Sequence, residues 1–239
     1  MLSIITPVLN GVRFIEKNIL SIQKLTIPFE HIIVDGGSND GTLEIVKKYP
    51  HLKLVYQKEK TGMYGAIDMG FSITKGEYIC WVNSDDQIIS NSFERLYYFA
   101  QQRKFDFVCS DGIVKDINTN RRIAIRGTRF VKYFLKQGYF PFLQPSTIYT
   151  SELYQSVDGL NFNNYKICGD MDLFYRMSLI STAKFGYIPM ESTIFIKHGN
   201  SLGDLNTQNS INERIINGNI PKAKAHNRYL LKVVRTLHI

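Results

Sequence analysis

Two carboxylates stand side by side where an apolar run stops, in Trp81-Val82-Asn83-Ser84-Asp85-Asp86. A carboxylate pair at a strand end suits a hard divalent cation bridging two phosphates. Mg²⁺ takes one or two protein carboxylates and keeps the rest of its shell for water and phosphate oxygen. The competing reading is a solvated turn, built from the same Ser, Asn and Asp. A second acid, Asp35, opens the stretch Asp35-Gly36-Gly37-Ser38-Asn39-Asp40-Gly41-Thr42. Here a carboxylate can accept from a base N–H or a ribose hydroxyl while the glycines admit a ligand close to the backbone. Asp40 is placed to cap the helix that follows. The stretch is neither GxGxxG nor a phosphate loop ending in GKS/T. A third pair, Asp170 and Asp172, lies at i and i+2 in YKICGDMDLFYRM. On a helix those two face different directions, so one of them is expected to point into a site.

These acids need a scaffold, and the first half of the chain supplies a repeating one. Apolar runs alternate with helix-like segments: LSIITP, FIEKNILSIQ, HIIVD, GTLEIVKKY, LKLVYQ, MYGAIDMGFSI, YICWV, SFERLYYFAQQ and FDFVCS. Continuous apolar strands separated by amphipathic helices predict a parallel sheet covered on both faces. In such sheets ligands bind beyond the carboxyl ends of the strands. The polar residues after the first, second and fourth runs, including Thr6 to Asn10, Asp35 and Asn83 to Asp86, therefore converge on one edge. Past Gly112 the pattern loosens. It predicts a hairpin turning at Asn118-Thr119-Asn120, an aromatic and basic stretch from Arg129 to Leu143, and strands over 146–149, 183–188 and 192–197.

The chain has 239 residues, 44% hydrophobic and 21% charged, which fits one large α/β domain with a short appendage. Cys80, Cys109 and Cys168 are odd in number and lack metal spacing, which argues against a disulfide framework or zinc site and favours a reducing cytoplasm. No apolar run approaches the roughly 20 residues of a membrane span, and no signal peptide is expected at the start. A net charge of +8 calls for an anionic partner: a phosphorylated substrate, an acidic membrane surface or nucleic acid. Without a basic arm, zinc-finger spacing or an RNP-like aromatic strand, nucleic acid is the weakest of the three.

Taken together, SIITPVLNG, HIIVDGGSNDGT, EKTGMYGAIDMGFSITKGEYICWVNSDD and QPSTIYTSELYQSVDGLNFNNYKICGDMDLFYRM resemble, in order and spacing, the motifs of family-2 glycosyltransferases. The resemblance runs from about residue 1 to residue 203. It implies the GT-A fold, an α/β architecture with a mainly parallel central sheet flanked by helices. A nucleotide-sugar donor half over 1–111 and an acceptor half over 112–203 are expected, followed by a C-terminal helical extension over 204–239.

The resemblance also implies roles. Thr6 and Pro7 through their backbone, Asn10, and the Asp35 carboxylate would hold the base, with Asp35 on a uracil N–H. In the DXD-type motif Asp85 would face the ribose and Asp86 would hold Mn²⁺ or Mg²⁺ against the diphosphate. Lys60 is a candidate for the phosphates or donor sugar, although an exposed lysine is the bland reading. His198, after a late strand, would join the metal; otherwise it is a loop histidine. By the family register Asp170 is the general base, and Asp172 either replaces it or pairs with Arg176. Gly169 stands where the family has an acid. Gln144, Ser146 and Thr147 are weaker candidates for sugar hydroxyls.

In the tail, Leu230, Val233, Val234 and Leu237 fall on one helical face and Arg228, Lys232 and Arg235 on the other. That suits an interfacial helix or one packed on the domain. With Arg129, Phe130, Lys132, Tyr133, Phe134, Lys136, Tyr139, Phe140 and Phe142 it suggests an anionic membrane surface. The expected activity is inverting transfer of a hexose or N-acetylhexosamine from a UDP-sugar to a saccharide or lipid-linked saccharide in bacterial surface polysaccharide synthesis. The expected location is cytoplasmic or peripheral on the inner face of the membrane. A sugar-nucleotide nucleotidylyltransferase and a catalytically silent nucleotide-sugar-binding domain are the alternatives. TPVLNGVRF lacks the Gly-rich basic signature of the former.

Overall fold

The computed structural model describes residues 1–199, 207–218, 220–222 and 230–232. Strand β1 (Leu2–Val8) is buried at every position and lies between β2 (Phe29–Asp35) and β4 (Tyr78–Trp81), parallel to both. β3 (Lys53–Tyr56) pairs parallel on the far side of β2. The connections are α1 (Ile15–Gln23), α2 (Thr42–Val46) and α3 (Gly62–Phe71). The chain thus winds outward from β1 through β2 to β3 and returns to the other side of β1 as β4. That reversal leaves a crevice beyond the carboxyl ends of β1 and β4, where doubly wound sheets take their ligands.

The rest of the chain is β5 (Gln87–Ile88), α4 (Ser90–Arg103), β6 (Phe107–Asp116), β7 (Arg122–Ile125), α5 (Val131–Lys136), a 3₁₀ turn (Gln144–Ser146), β8 (Thr147–Thr150), α6 (Ser151–Gln155), α7 (Gly169–Leu179), β9 (Phe185–Lys197) and α8 (Thr207–Asn217). The sheet order is β3-β2-β1-β4-β8-β6-β9-β5, with β7 hairpinned onto β6. The parallel character belongs to the first four strands and to the β6–β9 pair. β8 runs antiparallel to both its neighbours, β4 and β6.

Strand periodicity divides the core between the two faces. Leu2, Ile4, Tyr78 and Cys80 pack toward Phe93, Leu96 and Tyr97 of α4. Ile5, Ile79 and Trp81 pack on the opposite face with Phe71, Tyr149 and Phe174. The Trp81 and Phe174 rings stack at 5.8 Å, which fixes α7 over the end of β4.

The expected hairpin turn forms, with Asp116 accepting from the amides of Asn118 and Thr119. The two late strands merge into one. β9 runs unbroken from Phe185 to Lys197, and its register shifts opposite Ser110 and Asp111 push Pro189 and Met190 into a bulge, where a proline's missing N–H is tolerated. β6 runs straight through the expected 111/112 division. Among the described residues no helix is long and apolar enough to cross a membrane. Of the expected tail helix residues 230–232 are described; Arg228, Val233, Val234, Arg235 and Leu237 lie outside the described residues.

Candidate active site

The loops after β1 and β2 are stitched together. The Gly36 amide donates to Val8 O (2.8 Å), that of Asn10 to Ser38 Oγ (2.8 Å), and that of Asn39 to Asn10 Oδ1 (3.0 Å). Asn10 takes a φ of 54°, a left-handed conformation that asparagine tolerates. Asp40 accepts from Thr42 N and Val12 N (3.0 Å each), so it holds the first amide of α2 from one residue before the N-cap, Gly41, and ties the loops together. At the strand end Asp35 is 1% exposed and accepts from Gly37 N (2.8 Å) and Ser38 N (3.0 Å). An ionised carboxylate has about four acceptor positions, so these bonds leave capacity for one N–H more. Thr6 and Pro7 are buried. The Thr6 hydroxyl points to Asn18 Oδ1 (3.3 Å) and His31 Nε2 (2.9 Å), so its side chain belongs to the support of the site.

The turn after β4 separates its two acids. The Asp86 amide donates back to Asn83 O (3.0 Å), and this sends the neighbouring side chains to opposite sides. Asp86 is 0% exposed, and its Oδ1 accepts from Ile196 N of β9 (3.0 Å). Burial, with Asp85 adjoining, pushes its carboxyl well above the usual range. Asp85 instead faces outward, with Oδ2 2.9 Å from His198 Nε2. Asp86 and His198 are the residues expected to share a metal, with Asp85 expected on the ribose, and Asp86 Oδ2 is buried without a hydrogen-bond partner among the described residues. Asp85 meets the histidine, and Asp86 latches the turn to β9 two residues before it.

Three further residues support this pair. The Phe14 ring stacks on His198 at 4.9 Å, and the Arg13 guanidinium lies over Phe14 at 5.0 Å. Asn18, fully buried in α1, donates to Asn83 O (2.9 Å) and Asp86 O (3.0 Å), fixing the acidic turn from below. A signal for Asn18 did exist: a polar residue on the apolar stripe of Ile15, Ile19 and Ile22.

The third acidic pair also divides. Asp172 is fully buried and ion-paired with Arg176 at 2.7 Å, and that guanidinium donates onward to the carbonyls of Val157 and Gly159. Asp170 is half-buried at the start of α7, its Oδ1 3.1 Å from the Tyr64 hydroxyl and 2.9 Å from the Met171 amide. Burial raises its pKa, while those two bonds oppose the rise. Lys60 lies exposed between β3 and α3. Gln144 donates to Trp81 O (3.0 Å). Ser146 and Thr147 are fully buried, on Thr193 and Gln144 O respectively, and present no hydroxyl to a sugar.

The mixed sheet with its switch point between β1 and β4, Asp35 at the end of β2 and Asp85 in the turn after β4, has the GT-A fold, and solved structures share it. Over 90% of this chain and 64% of theirs, it superposes with TM-score 0.71 and 19% identity on residues 1–349 of Staphylococcus aureus TarS in complex with UDP-GlcNAc. A mannosyltransferase from Pyrobaculum calidifontis in complex with GDP-Man and Mn²⁺ aligns with TM-score 0.67 and 15% identity over all of this chain and 70% of that one.

The chain belongs to glycosyl transferase family 2, whose signature matches residues 3–157. It is 34% identical over 113 residues to the glycosyltransferase GlyG of Streptococcus pneumoniae, which is 45% of this chain but 38% of that protein.

Proposed function

We propose that the chain is an inverting glycosyltransferase that moves a hexose or N-acetylhexosamine from a UDP-sugar to a saccharide acceptor of a bacterial surface polysaccharide. The observation that carries this reading is the Asp85–His198 pair at the switch-point crevice. Family membership and the UDP-GlcNAc complex of TarS support it.

The donor set fits Mn²⁺ or Mg²⁺. Asp85 Oδ2 and His198 Nε2, 2.9 Å apart, would offer such an ion one oxygen and one nitrogen donor. Among the described residues there is no cluster of three or more His, Cys, Asp or Glu, which leaves the other positions to phosphate oxygen and water. The Mn²⁺ in the mannosyltransferase complex supports a divalent metal. When bound, the metal supplies Lewis-acid stabilisation of the departing diphosphate. Asp35 accepts the uracil N–H, and the stitched loops around Asn10 shape the base pocket. Asp170 accepts the proton of the acceptor hydroxyl as that oxygen attacks the anomeric carbon from the face opposite UDP. A displacement of that kind inverts the carbon. Lys60 is free to swing onto the phosphates or the sugar.

For the acceptor, exposed Phe130 and Tyr133 beside Arg129 support a lipid-linked saccharide at an anionic membrane face, reached from the cytoplasm. Co-sedimentation with vesicles containing anionic lipid checks this; absence of binding removes it.

The donor is tested by a thermal-shift panel of nucleotide sugars with and without Mn²⁺. A ligand at about 100 times its Kd stabilises the native state by about 2.7 kcal/mol, roughly a 5–10 °C shift for a domain of this size. The expected result is a Mn²⁺-dependent shift with UDP-sugars and none with GDP-sugars. No shift with any UDP-sugar overturns the reading.

A further inference from the structure

The turn that leads into helix α7, which carries Asp170, is held from far along the chain. Glu213 of α8 accepts from Lys166 N (2.6 Å) with Oε1 and from Ile167 N and Cys168 N (3.0 Å each) with Oε2, and the Cys168 thiol lies 3.2 Å from that same oxygen. A helix start leaves N–H groups without intrahelical partners, and a Ser, Thr, Asp or Asn at the N-cap usually accepts from them. Here the N-cap is Cys168, whose side chain makes no capping bond.

The next position is closed to an acid. A Cβ on Gly169 would lie 2.9–3.0 Å from the Tyr64 ring, and Tyr64 is the residue whose hydroxyl reaches Asp170 Oδ1 and Ile167 O. The carboxylate that holds the turn ahead of α7 comes from α8. That helix is anchored as a strut should be. Arg214 donates to Gly138 O and Pro221 O (3.3 Å each), Asn217 donates to Asn164 O (2.8 Å), and Ile220 packs with Tyr165 and Cys168. Burial pushes the Glu213 carboxyl up, but its backbone N–H partners outweigh that and hold it below the ordinary glutamate value, so it stays ionised near neutrality.

We infer that Glu213 is a positioning residue for Asp170, a role beyond the stretch matched by the family signature and one that rests on the reading of Asp170 as the base. By holding the three amides ahead of α7, it sets the depth and direction of the first turn from which Asp170 projects. Its charge also reaches that carboxyl, alongside the Tyr64 hydroxyl of α3.

The test uses the whole chain with Glu213→Gln, Glu213→Ala and Asp170→Asn. UDP release is followed with Mn²⁺ and each of UDP-N-acetylglucosamine, UDP-glucose and UDP-galactose, water serving as acceptor. Amide exchange is measured over 166–171. In Glu213→Ala, protection of the 166–168 amides is expected to fall at least tenfold. With it kcat should fall about tenfold or more, while UDP affinity stays within about twofold, the pattern of a lost transition-state geometry rather than a lost binding site. In Glu213→Gln the acid limb of kcat/KM is expected to move to lower pH, because a negative charge that disfavours ionisation of Asp170 is gone. A purely structural residue would not move that limb. If the alanine variant does not fold, the isosteric glutamine variant carries the test. Wild-type kcat and acid limb in both Glu213 variants, with Asp170→Asn inactive, overturn the inference alone. Full activity in Asp170→Asn overturns the base reading instead. Unchanged amide protection in Glu213→Ala overturns the clamp whichever donor is used.

Discussion

At the residue scale, adjacent acids have been given unlike environments. Asp85 faces out to an imidazole, and Asp86 faces in to a backbone amide. Asp85→Ala is therefore expected to remove the Mn²⁺-dependent part of UDP binding, measured by calorimetry with and without the metal. Asp86→Ala is expected to keep that part and lose stability, because the Ile196 amide of β9 loses its acceptor. The reverse pattern would make Asp86 the ligand. Asp170 permits a sharper expectation. A base must be ionised to act, and burial disfavours ionisation. The acid limb of kcat/KM should then lie above the ordinary aspartate value of about 3.9. Tyr64→Phe removes a hydrogen bond that favours the charged form, so the limb should move further up. A limb that stays put or falls in that variant would show that Tyr64 does not hold the base.

At the element scale, α7 shows why two acids in one turn are not interchangeable. Asp172 and Arg176 lock the helix to the turn at Val157 and Gly159, with the carboxylate fully buried and the guanidinium partly exposed. Removing one partner of a buried pair costs about 3–5 kcal/mol, and the exposure of Arg176 points to the lower end, about 3 kcal/mol. Asp172→Asn should show that loss in urea unfolding, while Asp170→Asn should unfold nearly as wild type. Equal losses would mean that both acids are structural. The choice between them was half legible in the sequence, because i,i+4 spacing announces an Asp172–Arg176 pair. Asp85 against Asp86 was not legible. The direction of each depends on a turn hydrogen bond and on β9, which lies 110 residues further along the chain. Gly169 likewise looked like a missing acid. Its reason is the Tyr64 ring, a contact between helices that no local pattern records.

At the scale of the whole molecule, the crevice was legible because alternating strands and helices imply a switch point, while the antiparallel β8 and the reach of α8 to α7 depend on packing far apart in sequence. The same long-range packing isolates His31, whose ring lies on β2 against Thr6 with its Nδ1 finding no partner among the described residues. Burial, helped by His51, pushes its pKa down to about 3. The unfolded chain takes up that proton below about pH 6.5, whereas the folded protein resists until about pH 3. In that window the unfolded state binds more protons, so stability is complete above pH 6.5 and falls as the pH is lowered. At pH 5 the loss from this one group is about 2 kcal/mol. Urea unfolding at pH 7 and pH 5 measures it, with His31→Gln as the control. The variant is expected to be less stable at pH 7 yet to lose about 2 kcal/mol less than wild type on going to pH 5, since the carboxylates contribute equally to the slope of both proteins. Equal slopes in the two proteins would mean that His31 is accessible to protons in the folded state, and that the layer beneath the acidic turn is wetter than its burial implies.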